Sequence, residues 1–448
     1  MATTLLILGA SGDLSARLLL PALGQLLQRE PDRRVNLLGA GAEELSHEEW
    51  RRRVRAAFDT AGARGQAHRL HHTEYTRADV TDPNQLRSLL EGLDGRVVIY
   101  FALPPAVTRK ACEALRKVPL GDGTVLALEK PFGDGVESAK ELNDLLLQLV
   151  PAERIFRVDH FLGRSTLLNI LGVRLSNRAF TPIWTAEHVE SVDIRFDESL
   201  ALEARAGYYD HAGALEDMIQ SHLLQVLALV ALEPPATLDT PGLSTAMIAA
   251  LRATHLWEDS AQNSIRARYT AGTIGDREVC SYVDEEGVDP ARNTETFAQI
   301  TCEVRTERWA GVPFRLRSGK ALTAKVSTVT LNLRPVRHLA NGFEGEVPDG
   351  GKLTFSLGPD ELRLELNMTG GADPFALQRG TLVSRFGEGQ LLAYSEVLSE
   401  LLDGENLLSV PALSVQECWR IIDPVRRAWA ADEVPMREYV AGSLGPEE

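Results

Sequence analysis

At 448 residues the chain is too long for one ordinary hydrophobic core, and its 44% hydrophobic and 25% charged residues exclude a fibrous or disordered protein. A formal net charge of −16 repels nucleic-acid phosphates and anionic membrane surfaces, so an anionic substrate must be received by a local basic pocket. No apolar run reaches the length of a membrane span, no basic n-region precedes the first apolar residues, and Cys112, Cys280, Cys302 and Cys418 form no CxxC pair; the expectation is a cytoplasmic chain with reduced thiols, no metal, and no nucleic-acid or membrane partner.

Thr4 to Leu8 predicts a buried strand that runs into the turn Gly9-Ala10-Ser11-Gly12-Asp13 and then a helix carrying Leu14, Leu18, Leu23 and Leu27. Glycines at such a turn let the backbone approach a pyrophosphate, and the helix start offers unpaired N–H groups. Val35 to Leu38 predicts a second strand, and Ser46 with Glu49 forms a capping-box pattern that opens a further helix. Val97 to Ala102 and Thr124 to Leu128 supply two more strands. Strand and helix alternating in this way argue for a parallel sheet with right-handed crossovers.

Beyond residue 160 the pattern changes to period two, in Val192 to Phe196, Thr328 to Leu333 and Glu361 to Asn367. Such strands predict an antiparallel sheet with one face covered, and the helical segment Ala214 to Leu232 is long enough to lie across it. Asn341 to Lys352, rich in glycine and acid, reads as an exposed loop. Between the two regions stands Arg157-Val158-Asp159-His160-Phe161-Leu162-Gly163-Arg164. A carboxylate, an imidazole and two guanidinium groups in eight residues are costly inside a fold unless a ligand uses them.

This octapeptide resembles the Arg-Ile-Asp-His-Tyr-Leu-Gly-Lys signature of glucose-6-phosphate dehydrogenases. The same family is echoed by Gly9 to Leu14, by Glu129-Lys130-Pro131-Phe132-Gly133, by Asp217 to His222, by Gly311 to Lys320, by Thr294-Glu295-Thr296-Phe297 and by the ending Ala441 to Pro446. The resemblance implies α/β plus α+β architecture: an N-terminal Rossmann-type doubly wound parallel sheet over residues 1–158, then a larger, mostly antiparallel sheet domain with helices on one face over 159–448. It implies an oxidoreductase that transfers hydride from C1 of glucose 6-phosphate to NAD or NADP, giving 6-phosphoglucono-1,5-lactone in the oxidative pentose phosphate pathway. A homodimer or homotetramer follows from the same likeness.

Residue by residue, the resemblance makes His222 the base, Asp159 its orienting partner, and Lys130 a contact to both nicotinamide and substrate. Cofactor contacts fall to Gly9, Ala10, Ser11, Gly12, Asp13, Leu14, Leu103, Pro104, Glu129 and Lys130. The substrate phosphate falls to His160, Phe161 and Arg164, the sugar hydroxyls to Glu198 and Asp217, and further substrate contacts to Lys320 and Lys325. On a regular α-helix Asp217 and His222 would point about 140° apart.

Four positions depart from the family pattern in ways that bear on a ligand. Phe161 lacks the tyrosine hydroxyl, Arg164 replaces a lysine, and Gly358 stands where a glutamine is common. Ala42 stands where NADP-using relatives have arginine, and Glu43 and Glu44 follow it, so NAD is expected to be accepted at least as well as NADP. Arg17, or one of Arg51 to Arg53, is the alternative source of a 2′-phosphate clamp. The departures keep two other readings open: the same hydride chemistry on a different hexose or C6-anionic sugar, and a non-catalytic regulatory homologue.

Overall fold

The computed structural model describes residues 3–159, 161, 165–203, 206–343, 349–370, 373, 375–385 and 393–447. The chain packs as two units: Met1–Arg164 with Thr237–Ser244 and Gly389–Gln416, and Ser165–Ala236 with Thr245–Glu388 and Glu417–Glu448.

The first unit is built on a parallel sheet of β1 (Thr3–Leu8), β2 (Val35–Gly41), β3 (His72–Arg77), β4 (Val97–Phe101), β5 (Thr124–Glu129) and β6 (Ile155–Val158), in the order β3-β2-β1-β4-β5-β6. β4 is buried along its whole length and β1 and β5 nearly so, as a parallel sheet covered on both faces requires. The strand order reverses between β1 and β4, so their C-terminal ends flank the crevice in which doubly wound sheets bind ligands. A π-helical turn, Ser15–Leu19, leads into α1 (Leu20–Arg29). The capping box of α2 (His47–Thr60) forms as expected: Glu49 N donates to Ser46 Oγ at 3.2 Å and Ser46 N to Glu49 Oε2 at 2.9 Å. α3 (Pro83–Leu90), α4 (Pro105–Leu115) and α5 (Val136–Leu147) complete the crossovers. β3 and β6, the two edge strands, have no counterpart among the predicted strands. Only Tyr75 of the six residues of β3 is buried, so its sequence carries no apolar run, and β6 is only four residues long with Arg157 inside it.

The second unit holds a ten-stranded mixed sheet and a small hairpin among its described residues. Its strands are β7 (Val189–Asp197), β8 (Thr254–Leu256), β9 (Ser264–Thr270), β10 (Gly272–Ile274), β11 (Arg277–Val279), β12 (Phe297–Val304), β13 (Phe314–Gly319), β14 (Val326–Leu333), β15 (Lys352–Leu357), β16 (Asp360–Thr369), β17 (Leu377–Arg385) and β18 (Met436–Val440). The order is β17-β16-β15-β14-β7-β13-β12-β9-β18, with β8 beside β12 and β10 paired with β11. Only β7–β13 and β9–β18 are parallel. Burial alternates along β12 and β14, the period-two pattern of a sheet with one covered face. α6 (Ser165–Ser176), α7 (Ala206–Ala214) and α8 (Leu224–Ala231) belong to this unit, and α8 is buried all round, as its uninterrupted apolar sequence demands. No described helix is long and apolar enough to cross a membrane.

Candidate active site

In the first unit the turn after β1 is forced by close backbone approach. Gly9 has φ +86°, and a Cβ there would overlap the carbonyl oxygen of Ala102. Gly9 N and Ala10 N both donate to Ala40 O, at 2.7 and 3.0 Å, which fixes the turn to the end of β2; Gly12 N closes it on Gly9 O at 3.0 Å. Asp13 and Leu14 then lead into the helix. Leu103 and Pro104 follow β4, and a Cβ on Gly9 would also crowd the Leu103 side chain. A close turn with only small side chains between Gly9 and Gly12, set between two strand ends and a helix start, fits a dinucleotide pyrophosphate.

Glu129 ends β5 and Lys130 follows it. The Glu129 carboxylate accepts hydrogen bonds from the hydroxyls of Tyr100 on β4 and of Tyr394 on the helix Ala393–Asp403. Burial is the main influence on this carboxyl and pushes its pKa up to about 7. Asp159 lies one residue beyond β6, buried, with its Oδ1 accepting from Phe161 N at 2.8 Å. Phe161 is itself buried. Arg157, one residue before β6 ends, donates to Asn143 at 2.7 Å; burial lowers its pKa to about 10, which leaves it cationic at neutral pH. His160, Gly163 and Arg164 lie outside the described residues.

The second unit carries the remaining candidates. α7 breaks at Gly213 (φ +62°), and the chain resumes as a π-helix over Leu215–Leu223 before passing into α8. In a π-helix the backbone bonds run from residue i to i+5, seen here as Leu224 N to Ile219 O; Ser221 Oγ repeats the spacing by donating to Glu216 O at 2.8 Å. Asp217 and His222 are five residues apart. The wider turn therefore brings them onto one face, where a regular α-helix would have separated them. His222 is buried, and Asp217 is hydrogen-bonded to the Tyr208 hydroxyl.

Lys320, directly after β13, pairs with Glu198, directly after β7, at 2.5 Å, and its ammonium sits 4.9 Å from the centre of the Tyr209 ring. Adjacent tyrosines of α7 thus connect the two halves of this site: Tyr208 holds Asp217 and Tyr209 underlies Lys320. Lys325 is exposed just before β14. At Gly358 a Cβ would meet nothing within 4 Å, so the missing glutamine leaves open space.

Sequence comparison extends over the same elements. Residues 6–169 match the model of the glucose-6-phosphate dehydrogenase NAD binding domain, and residues 171–448 match that of the glucose-6-phosphate dehydrogenase C-terminal domain. The chain belongs to the glucose-6-phosphate dehydrogenase family. It is 37% identical over 465 residues to the glucose-6-phosphate 1-dehydrogenase of Gluconobacter oxydans, covering 99% of this chain and 94% of that one. Its fold is similar to the crystal structure of the Mycobacterium avium glucose-6-phosphate 1-dehydrogenase, with a TM-score of 0.87, 30% identity and coverage of 100% and 95%. It is equally similar to a glucose-6-phosphate dehydrogenase in complex with its substrate glucose 6-phosphate, at a TM-score of 0.88, 25% identity and coverage of 99% and 95%. Membership of the family carries the Rossmann-type and mixed-sheet architecture, dehydrogenase chemistry and a nicotinamide dinucleotide.

The supports of this family site were not singled out by role in the sequence. The Glu295 carboxylate accepts from Leu215 N at 2.9 Å and so caps the first residue of the π-helix, while a Cβ at Gly213 would overlap that same carboxylate. Asp210 anchors α7 through Tyr282 at 2.7 Å, Asp289 N at 3.0 Å and Arg292 at 2.6 Å. The only signal for Glu295 was its place in the family segment Thr294 to Phe297. Burial pushes its carboxyl up to about 7, whereas its ordinary value is 4.5. Between these values the folded state keeps a proton that the unfolded chain releases, so stability falls as pH rises from 4.5 through 7 and is level above that. Glu295→Gln keeps the cap without the titration. Chemical unfolding from pH 4.5 to 8 is expected to lose up to about 3 kcal/mol less in this variant than in the parent; parallel pH profiles would contradict the assignment.

Proposed function

We propose that the protein oxidises C1 of glucose 6-phosphate and releases 6-phosphoglucono-1,5-lactone. The observation that carries this reading is the π-helix, which brings Asp217 and His222 onto one face in a chain matched to the family along its whole length. His222 takes the proton of the C1 hydroxyl as the hydride leaves C1 and the C1–O bond becomes a carbonyl. A buried imidazole, which can accept and release a proton at a ring nitrogen, suits that step. Asp159 is assigned as its orienting partner, and Asp217, Glu198 and Lys320 as groups that hold the sugar. Lys325 and the octapeptide residues His160, Phe161 and Arg164 are assigned to the substrate and its phosphate. A nicotinamide dinucleotide held by the Gly9–Leu14 turn with Leu103 and Pro104 would supply the hydride acceptor; Glu129 is assigned to the cofactor, and Lys130 to both nicotinamide and substrate. His222→Asn is expected to lower kcat by about 10²–10⁴-fold with an unchanged circular dichroism spectrum. A near-parental kcat would remove His222 from the chemistry.

On cofactor choice, Ala42 gives a 2′-phosphate no clamp at its usual place, so NAD is taken at least as well as NADP. Two features favour a second substrate reading. Phe161 offers no hydroxyl to an anion, and the space at Gly358 is open where the family commonly reaches the sugar. One panel resolves both points, crossing NAD and NADP with glucose 6-phosphate, free glucose and other C6-anionic hexoses. The highest kcat/KM is expected with glucose 6-phosphate and NAD. A hundredfold preference for NADP, about 2.7 kcal/mol, overturns the cofactor assignment. A better sugar than glucose 6-phosphate establishes the second reading, and inactivity with every pair favours a regulatory homologue.

The protein further acts as a homodimer or a homotetramer. The register of β16 and β17 puts Leu364 opposite Leu382, and the same face carries Leu366 and Met368. Leu366, Met368 and Leu382 are 37%, 49% and 57% exposed, an apolar face that a second copy would cover. Sedimentation equilibrium is expected to give a dimer or tetramer, and Leu382→Glu with Met368→Glu to shift it toward monomer. A monomeric parent at micromolar concentration would refute the assignment.

A further inference from the structure

The acids that follow β2 are not free to repel a phosphate, because each is already paired with an arginine. Glu43 receives the guanidinium of Arg53, from the second turn of α2, through two bonds: Nη2 to Oε1 at 3.0 Å and Nη1 to Oε2 at 3.3 Å. The same Nη1 lies 3.3 Å from the carbonyl oxygen of Ser11, within the glycine turn. Tyr75 on β3 donates to Glu43 O at 2.8 Å, and a Cβ at Gly41 would crowd both the Tyr75 hydroxyl and Ser11 Oγ. Arg53 and Glu43 are thus fastened to the turn and to each other. Glu44 pairs with Arg77 at 3.1 Å, but the two are 83% and 64% exposed and lie open to solvent. Arg17 pairs with Asp13 at 3.5 Å and is likewise well exposed.

We propose that Arg53 and Glu43 form an exchangeable couple at the adenosine ribose, with Glu43 accepting a 2′-hydroxyl and Arg53 gripping a 2′-phosphate. The proposal rests on the reading that a dinucleotide binds at the Gly9–Leu14 turn, since the end of β2 then meets the adenosine ribose. A carboxylate has acceptor sites to spare, so Glu43 can take a hydroxyl proton while it keeps a bond to Arg53. A phosphate presents a pair of oxygens to the guanidinium fork much as a carboxylate does, and can take the place of Glu43 on it. Both side chains are about half exposed, so the displaced carboxylate turns into water and the exchange is reversible. The couple thereby supplies from α2 the clamp missing at Ala42, and one site serves both dinucleotides.

Binding of NADPH and NADH to the full chain, followed by fluorescence without any sugar, tests this apart from substrate identity. Arg53→Gln is expected to weaken NADPH relative to NADH at least tenfold, and Glu43→Gln to strengthen it relative to NADH at least fivefold. Arg53→Lys, which keeps the charge and loses the fork, should fall between the parent and Arg53→Gln. Arg77→Gln should move the ratio less than threefold. If Arg53→Gln weakens both dinucleotides alike, or Arg77→Gln shifts the ratio more, the couple is not the discriminator although the turn still binds. If no variant alters either dissociation constant, the turn assignment fails as well.

Discussion

The site in the second unit depends on one constraint: nine residues wound as a π-helix. Its wider turn is the less favourable way to bond a backbone, and short stretches of it persist where surrounding structure enforces them. Here the enforcement is local and visible. Gly213 breaks α7 in a conformation that side chains rarely adopt, and the Glu295 carboxylate occupies the space where a Cβ would stand. It then receives the first N–H of the new helix. Asp217 and His222 inherit their common face from that junction. In the same unit Tyr209, Tyr269, Tyr282, Tyr439 and Phe297 interlock edge to face, with Tyr282 closing on Asp210. Asp217 and His222 thus sit on a segment fixed by a framework of aromatic rings and buried acids.

That framework explains what the sequence disclosed and what it hid. Apolar runs and local turn chemistry disclosed most of the first sheet, because β1, β4 and β5 are buried and Ser46 with Glu49 needs only three residues of separation to be recognised. β3 escaped because an edge strand has little apolar surface to display. The π-helix escaped for another reason. The pattern Leu215, Met218, Ile219, Leu223 falls within one broad face at either helical period, so apolar spacing alone does not separate a π-helix from an α-helix. What decides between them is Glu295, eighty residues away and legible only once the fold is closed. Family segments marked where such residues lie, but not what they do. Thr294 to Phe297 could be matched without revealing that its acid caps a helix.

The same limitation applied to charge. Read along the chain, Glu43 and Glu44 form a like-charged pair beside the ribose position. In three dimensions α2 and β3 bring Arg53 and Arg77 to them, and the local field is close to neutral. Linear neighbours therefore overstated the repulsion, since two acids at the end of one strand say nothing about the helix and the strand that flank it. The paired Lys320 and Glu198 repeat the lesson in the second unit, where 122 residues separate partners that adjacent strands bring together. In a chain of net charge −16, Lys320 is thereby held by an acid of the same sheet rather than left to solvent.

Two buried carboxyls complete this logic. Glu129 and Glu295 both have their pKa values pushed up to about 7 by burial, and both act as acceptors: one for two tyrosine hydroxyls, the other for a helix N–H. A carboxyl with a pKa near neutrality can fill a structural role without a full charge that would compete for the lysines nearby. Lys130 follows Glu129 directly in the chain, and a permanently ionised neighbour would draw its ammonium away from a ligand. Raising the acid's pKa keeps that pull weak while the phenols keep the acid in place. The two carboxyls thus hold their partners, tyrosine hydroxyls for Glu129 and a helix N–H for Glu295, without carrying a full charge at neutral pH.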